Sequence, residues 1–295
     1  MGNVDHVRWM GTPRLRAPVV IAAFSGWNDA GDAASGAVRA LVEAWRAEAL
    51  ADIDPEEYTD FATIRPQVRL TDGVTRQIVW PTVGLWSAAT PGGDVILVLG
   101  PEPSLRWRSF TDQIVGVAER FGASLVLTLG ALLADVPHRG PVQLIGTATD
   151  QDVIDRYQLQ RSRYEGPTGI VGVLHDACAS SGLPSASLWA AVPAYAAQVP
   201  SPRAALELMS RACDLIGTPT PRTDLTAGVE EYLERVDALV AADDDLAGYV
   251  RRLELLHDDE DGDEGDDDEA TELGPEQGEQ LVEEVERFLR DQGDA

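Results

Sequence analysis

Apolar residues in this chain fall into short runs rich in β-branched side chains, separated by stretches with helical spacing. Pro18-Val19-Val20-Ile21-Ala22-Ala23-Phe24 is continuous and uncharged, the pattern of a strand buried on both faces of a parallel sheet. Ser25–Gly31 reads as a turn, and Ala30, Ala34, Ala37, Leu41 and Trp45 then follow near-helical spacing. The unit repeats: Asp94–Leu99 predicts a strand, Gly100–Ser104 a turn, and Trp107, Phe110, Ile114, Val117 and Phe121 a helix. Ala123–Leu129 predicts a third buried strand and Gly130–Gly140 a long loop. Pro141–Ala148, Thr168–Leu174 and Ser187–Val192 are further strand candidates, and residues 202–217 form a helix with Ala205, Leu208, Ala212 and Leu215 on one face. Between the first two units, Val68–Leu70 and Gln77–Trp80 flank Asp72-Gly73, so residues 66–81 are expected to form an inserted β-hairpin. Its open edges, with Trp80 and Trp86 nearby, mark it as a candidate oligomer contact.

Strands alternating with helices define an α/β fold, a three-layer α/β/α core with a mostly parallel sheet, ending near residue 218 at Thr218-Pro219-Thr220-Pro221. Residues 219–257 read as a helical, lid-like segment. Residues 258–274 form an acidic linker expected to be disordered, since 11 acids and no base occupy 258–272. Residues 275–295 hold a final amphipathic helix with Leu281, Val285, Phe288 and Leu289 on its face. Docking on its own domain and binding a partner are both open to that helix.

Composition narrows the chemistry. All 23 basic residues of the 295 are Arg, and the absence of Lys excludes Schiff-base and pyridoxal chemistry, Walker A loops and protein kinases. Of the net charge of −27, residues 1–222 contribute −5 (23 acids, 18 Arg) and residues 223–295 contribute −22 (27 acids, 5 Arg). Such a surface repels phosphates, so neither nucleic acid nor an anionic membrane is an expected partner. No run of 18 apolar residues occurs, and the first six residues show neither a signal-peptide nor a myristoylation pattern, so a cytoplasmic protein is expected. Cys178 and Cys213 could form one disulfide by arithmetic, although free buried thiols fit a reducing compartment better.

Ligands of open α/β sheets collect beyond the carboxyl ends of the strands. Three loops there carry the candidates. Ser25, Asn28, Asp29 and Gly31 open the first helix, where free backbone N–H groups could hold an anion. Glu102 and Arg106 follow the second strand, and Asp135, His138 and Arg139 the third. Each has a plainer reading: Asn28, Asp29 and Asp32 as helix caps, Glu102 as a turn residue between prolines, His138 as a loop histidine. Asp150 and Asp152 are expected to cap a helix, and His175, Asp176 and Cys178 to lie on a helix surface. No Gly-x-Ser-x-Gly, Cys-x-x-Cys, His-Glu-x-x-His or Gly-x-Gly-x-x-Gly occurs, and the EF-hand-like Asp259, Asp261 and Asp263 lack the required Gly and Glu. No metal and no cofactor is expected, and the residues leave open whether the protein is an enzyme.

Four stretches in order, Ala22–Gly31 (AAFSGWNDAG), Gly100-Pro101-Glu102-Pro103, Ala134-Asp135-Val136-Pro137-His138, and Trp189–Pro193 with Pro200-Ser201-Pro202, resemble the PAC2 family, relatives of proteasome assembly chaperone 2, in its actinobacterial branch. The resemblance spans roughly residues 14–256. It implies a phosphorylase/hydrolase-like core similar to purine nucleoside phosphorylases, a C-terminal lid over the ligand face, and a homo-oligomer, with a trimer through the hairpin as the implied form. It also implies a proteasome-related protein partner. The rival it leaves standing is a small-molecule binder or enzyme of nucleoside phosphorylase or hydrolase type. Archaeal relatives can end in a hydrophobic-Tyr-any tripeptide that docks into the proteasome. This sequence ends Gly293-Asp294-Ala295, so docking of that kind is not expected.

Overall fold

A computed structural model describes residues 4–261. The strands are β1 (Val7–Trp9), β2 (Val19–Ser25), β3 (Glu48–Ile53), β4 (Gln67–Thr71), β5 (Thr75–Val79), β6 (Val83–Thr90), β7 (Gly93–Pro101), β8 (Leu125–Ala134), β9 (Leu144–Ala148), β10 (Gln160–Arg161) and β11 (Ser185–Pro193). The helices are α1 (Ala33–Ala44), α2 (Trp107–Phe121), α3 (Gln151–Tyr157), α4 (Ile170–Ser180), α5 (Pro202–Leu215), α6 (Leu225–Ala241) and α7 (Asp244–Asp261).

The uncharged run from Val19 becomes β2 at the middle of a nine-stranded sheet, ordered β1-β3-β6-β7-β2-β8-β11-β9-β10. Its side chains alternate between two cores. Ile21 and Ala23 join Leu97, Leu127 and Leu188 under α1 and α5, while Val20, Ala22 and Phe24 join Val98, Phe110 and Leu174 under α2 and α4. Burying each such aliphatic side chain stabilises by about 1.5–3 kcal/mol, and that is what a two-faced strand gains over a one-faced one. The four central strands β7, β2, β8 and β11 are mutually parallel, and antiparallel neighbours extend the sheet on both sides. Parallel strands therefore sit where both faces are covered, as the continuous apolar runs require.

Three departures from the sequence reading have physical causes. Residues 168–174 are not a strand: Ile170 begins α4, because its N-terminus is capped from a distant loop, described below. Strands β3 and β6 were not foreseen; their half-buried, Ala-rich patterns lack the continuous apolar signal. The long loop begins later than Gly130, since β8 runs to Ala134 alongside β11. Asp150 does cap α3, accepting from Asp152 N at 2.8 Å and Val153 N at 3.2 Å. Helix α7 carries residues 258–261 of the acidic run; the rest of that run and the final predicted helix lie outside the described residues.

Cys178 and Cys213 are free, and burial pushes both thiols up to about 12. They belong to the cores on opposite faces of the sheet, so no disulfide joins them. None of the helices among the described residues is long and apolar enough to cross a membrane.

Strands β4 and β5 pair only with each other. Asp72 (φ 53°) and Gly73 (φ 71°) supply the two left-handed residues that the tight turn needs. Val68 pairs with Ile78 and Leu70 with Arg76, so three apolar side chains share one face. That face is open: Val68 is 52%, Leu70 60% and Ile78 54% exposed.

Candidate functional site

The loop after β2 is shaped by Gly31, which sits at φ 58° with its carbonyl accepting from Ser201 N at 2.7 Å. A Cβ there would meet Ser201 at 3.1 Å and Val192 at 3.2 Å, so both conformation and space call for glycine. The carbonyl of Ser25, at the end of β2, accepts from Glu102 N at 2.9 Å and brings the second loop alongside.

Glu102 turns inward. Its Oε1 accepts from Ile170 N at 2.8 Å and from Asn28 Nδ2 at 3.1 Å, and the backbone N–H of Trp27 also donates to the carboxylate. Asn28 is 3% exposed. One carboxylate thus joins the first loop to the first turn of α4 and satisfies a helix-terminal donor. Burial raises the Glu102 pKa above its ordinary value in spite of these three donors. Asp29 plays the matching part at α1: its Oδ1 accepts from Ser35 N at 3.0 Å. Its Oδ2 is buried without a partner, and burial raises its pKa as well. The anion that this loop and helix terminus could hold is therefore supplied by the chain itself, as Glu102 and Asp29. A cleft of about 410 Å³ remains beside them, bordered by Trp27, Asp29, Gly31, Leu132 and Gln198.

The third loop faces a different neighbour. His138 is buried, and its backbone N–H and Nδ1 both lie 2.8 Å from the Tyr195 hydroxyl. The hydroxyl accepts from the N–H and is within reach of Nδ1, while Nε2 carries a proton because it faces a carboxylate that can only accept. Nε2 lies 2.9 Å from Asp237 Oδ1 on α6. Arg139 grips the same carboxylate, with Nε at 3.0 Å and a closer contact through Nη2. These donors, Arg139 first and His138 second, hold the Asp237 pKa down to about 2. Asp135 accepts from the Tyr249 hydroxyl of α7 at 2.6 Å. Arg106 turns away to pair with Glu57.

The nine candidates thus divide. Ser25, Asn28, Asp29, Gly31 and Glu102 form one continuous assembly at the carboxyl ends of β2 and β7. Asp135, His138 and Arg139 clamp α6 and α7 to the loop after β8, and Arg106 belongs to neither set. The sequence reading missed a second buried polar cluster. His175 does lie on a helix but points inward, with Nε2 at 2.7 Å from Ser187 Oγ and 2.9 Å from Thr128 Oγ1, and Nδ1 at 2.9 Å from Ser185 Oγ. Burial lowers its pKa to about 4, so the ring is neutral at pH 7. The signal was there in the hydroxyls of Thr128, Ser185 and Ser187, which sit within otherwise apolar strand patterns. Groups of acidic, His or Cys side chains fit to hold a metal do not occur among the described residues.

Fold and rim together define a three-layer α/β protein whose helices α6 and α7 are tied to the loop after β8. The PAC2 family's sequence model matches residues 23–240, and the chain belongs to the PAC2 family. It is similar to a PAC2 family protein from Streptomyces avermitilis, 45% identical over 79% of this chain and 99% of that one, with a TM-score of 0.72. It is also similar to a proteasome-assembly chaperone homologue from Mycobacterium tuberculosis, 43% identical over 79% and 99% of the two chains, with a TM-score of 0.70. An archaeal proteasome activator from Pyrococcus furiosus, 16% identical over 80% and 97%, shares the fold at a TM-score of 0.64. No curated protein matches the chain.

Proposed function

We propose that this protein acts through protein contacts, as a cytoplasmic, homo-oligomeric, proteasome-assembly-chaperone-like factor. The observation that carries the reading is the β4–β5 hairpin. A lone two-stranded hairpin is marginal in water, and this one presents Val68, Leu70 and Ile78 together to solvent. Such a face gains from being covered by a protein surface. The name of the Mycobacterium tuberculosis relative, a proteasome-assembly chaperone homologue, points to the same class of partner. The rival, a phosphorolytic or hydrolytic enzyme at the rim, has less behind it: the carboxylates of Glu102 and Asp29 already sit at the starts of α4 and α1, where they would repel a phosphate, and His138 is tied to Tyr195 and Asp237.

The test is a time course of proteasome formation from separately purified α and β subunits of the same organism, with and without the chain. Faster appearance of the assembled particle on native gels, with the chain migrating on a precursor, is the expected result. An unchanged time course with no co-migrating species would overturn the reading.

A further inference from the structure

On the α2/α4 side of the sheet lies a second cavity, of about 400 Å³, which is within the range of small-molecule sites. Leu132, Ile145 and Trp189 line it from the sheet, and Val171 from α4; Trp27 stands at its edge. Trp189 can lie across the sheet because Gly130 is its partner on β8: a Cβ at Gly130 would meet the indole Cε3 at 2.5 Å. Ser162, Tyr164 and residues 166–169 complete the lining.

The polar groups on its lining are informative by type. None is an Asp, Glu or Arg. The first turn of α4 borders the space, and the anion at that helix terminus is already Glu102, which accepts from the Ile170 N–H and would repel a second. An anion entering here would lose its hydration with no counter-charge to replace it. Ser187 Oγ and His175 do reach the lining, joined at 2.7 Å and backed by Thr128, whose Oγ1 lies 3.1 Å from Ser187 Oγ. Both ring nitrogens of His175 are taken up by the hydroxyls of Ser185, Ser187 and Thr128, so the group left for a ligand is Ser187 Oγ, which can donate or accept and so answer either a hydroxyl or a carbonyl. Two indoles offer flat surfaces for a ring.

We propose that this cavity is a binding site for a small, neutral, planar and largely apolar molecule whose one hydroxyl or carbonyl meets the Ser187 hydroxyl, which His175 holds in place. The site is separate from the hairpin and does not depend on the protein-contact reading.

Titration calorimetry on the full chain with 2-naphthol as probe, and 2-naphthyl phosphate as its charged counterpart, tests it. The parent is expected to bind one 2-naphthol, with a Kd below about 1 mM, and no phosphate ester. Ser187→Ala should weaken binding about tenfold, the effect of one buried hydrogen bond. Thr147→Phe, on half-buried β9 beside the cavity and outside the His175 cluster, should abolish binding by filling the space. Thermal melts first establish that each variant is folded, with Thr147→Leu in reserve if Thr147→Phe is not. No binding by the parent, unchanged affinity in either variant, or tighter binding of the phosphate ester would each overturn the proposal.

Discussion

Replacing Glu102 by Ala removes the carboxylate that joins the first loop to α4. Two of its donors, the Ile170 N–H and the Asn28 amide, belong to buried residues and lose their acceptor. An orphaned buried donor costs about 1–3 kcal/mol, and relief from burying a carboxylate offsets part of the sum, leaving roughly 2–4 kcal/mol. At about 2–4 °C per kcal/mol for a domain of this size, the melting temperature should fall by roughly 4–16 °C. Glu102→Gln keeps a carbonyl oxygen for both donors and should cost about 1 kcal/mol or less at pH 7. The pH dependence separates the two variants further. Burial raises the folded pKa of Glu102 above 4.5 and that of Asp29 above 3.8. Their contributions are fully present below those values and are lost as pH rises through the higher folded ones. The parent should therefore lose stability as pH climbs from about 4, and Glu102→Gln should flatten the Glu102 share of that slope. Calorimetric melts from pH 4 to pH 8 measure both effects. An Ala variant within about 1 kcal/mol of the parent, or a Gln variant with the parent's slope, would refute the reasoning.

Asp237→Ala leaves His138 Nε2–H and Arg139 without their shared acceptor, so limited proteolysis should cut sooner between α5 and α6 while the core resists; an unchanged cleavage rate would count against the clamp. The sign of the Asp237 pH effect is opposite to that of Glu102: its contribution is present above 3.8 and is lost as pH falls toward about 2, which acid titration of parent and variant can resolve. Gly130→Val drives a side chain into Trp189 and should cost about 1–3 kcal/mol by overpacking, with a change in tryptophan fluorescence; an unshifted melt would contradict the packing. Neither Cys178 nor Cys213 should react with a thiol reagent until the chain unfolds, as colorimetric titration with and without denaturant will show.

The sequence disclosed what depends on local pattern. Val19–Ser25, Val95–Leu99 within Gly93–Pro101, and Leu125–Ala134 are strand because a continuous uncharged run has no solvent face to offer. The hairpin followed from Asp72-Gly73. What it hid depends on partners far along the chain. Ile170-Val171-Gly172-Val173-Leu174 has the β-branched look of a strand, yet Glu102, 68 residues earlier, caps it as a helix, so tertiary context overrode propensity. The rim residues were legible as a group at one edge of the sheet. Their division was not, because the partner of His138 is Asp237, 99 residues away. His175 was misjudged since helical spacing alone does not say which face meets Thr128 and Ser187.

In the function proposed above, the protein works through its hairpin face. Sedimentation velocity of the chain alone and mixed with purified proteasome α subunits, for the parent and for a Val68→Ser/Leu70→Ser/Ile78→Ser variant, tests it most directly. These side chains are exposed, so the variant should melt close to the parent. The parent is expected to sediment as an oligomer and to travel with the α subunits, and the folded variant to do neither. A variant that keeps both the oligomer and the partner would contradict it.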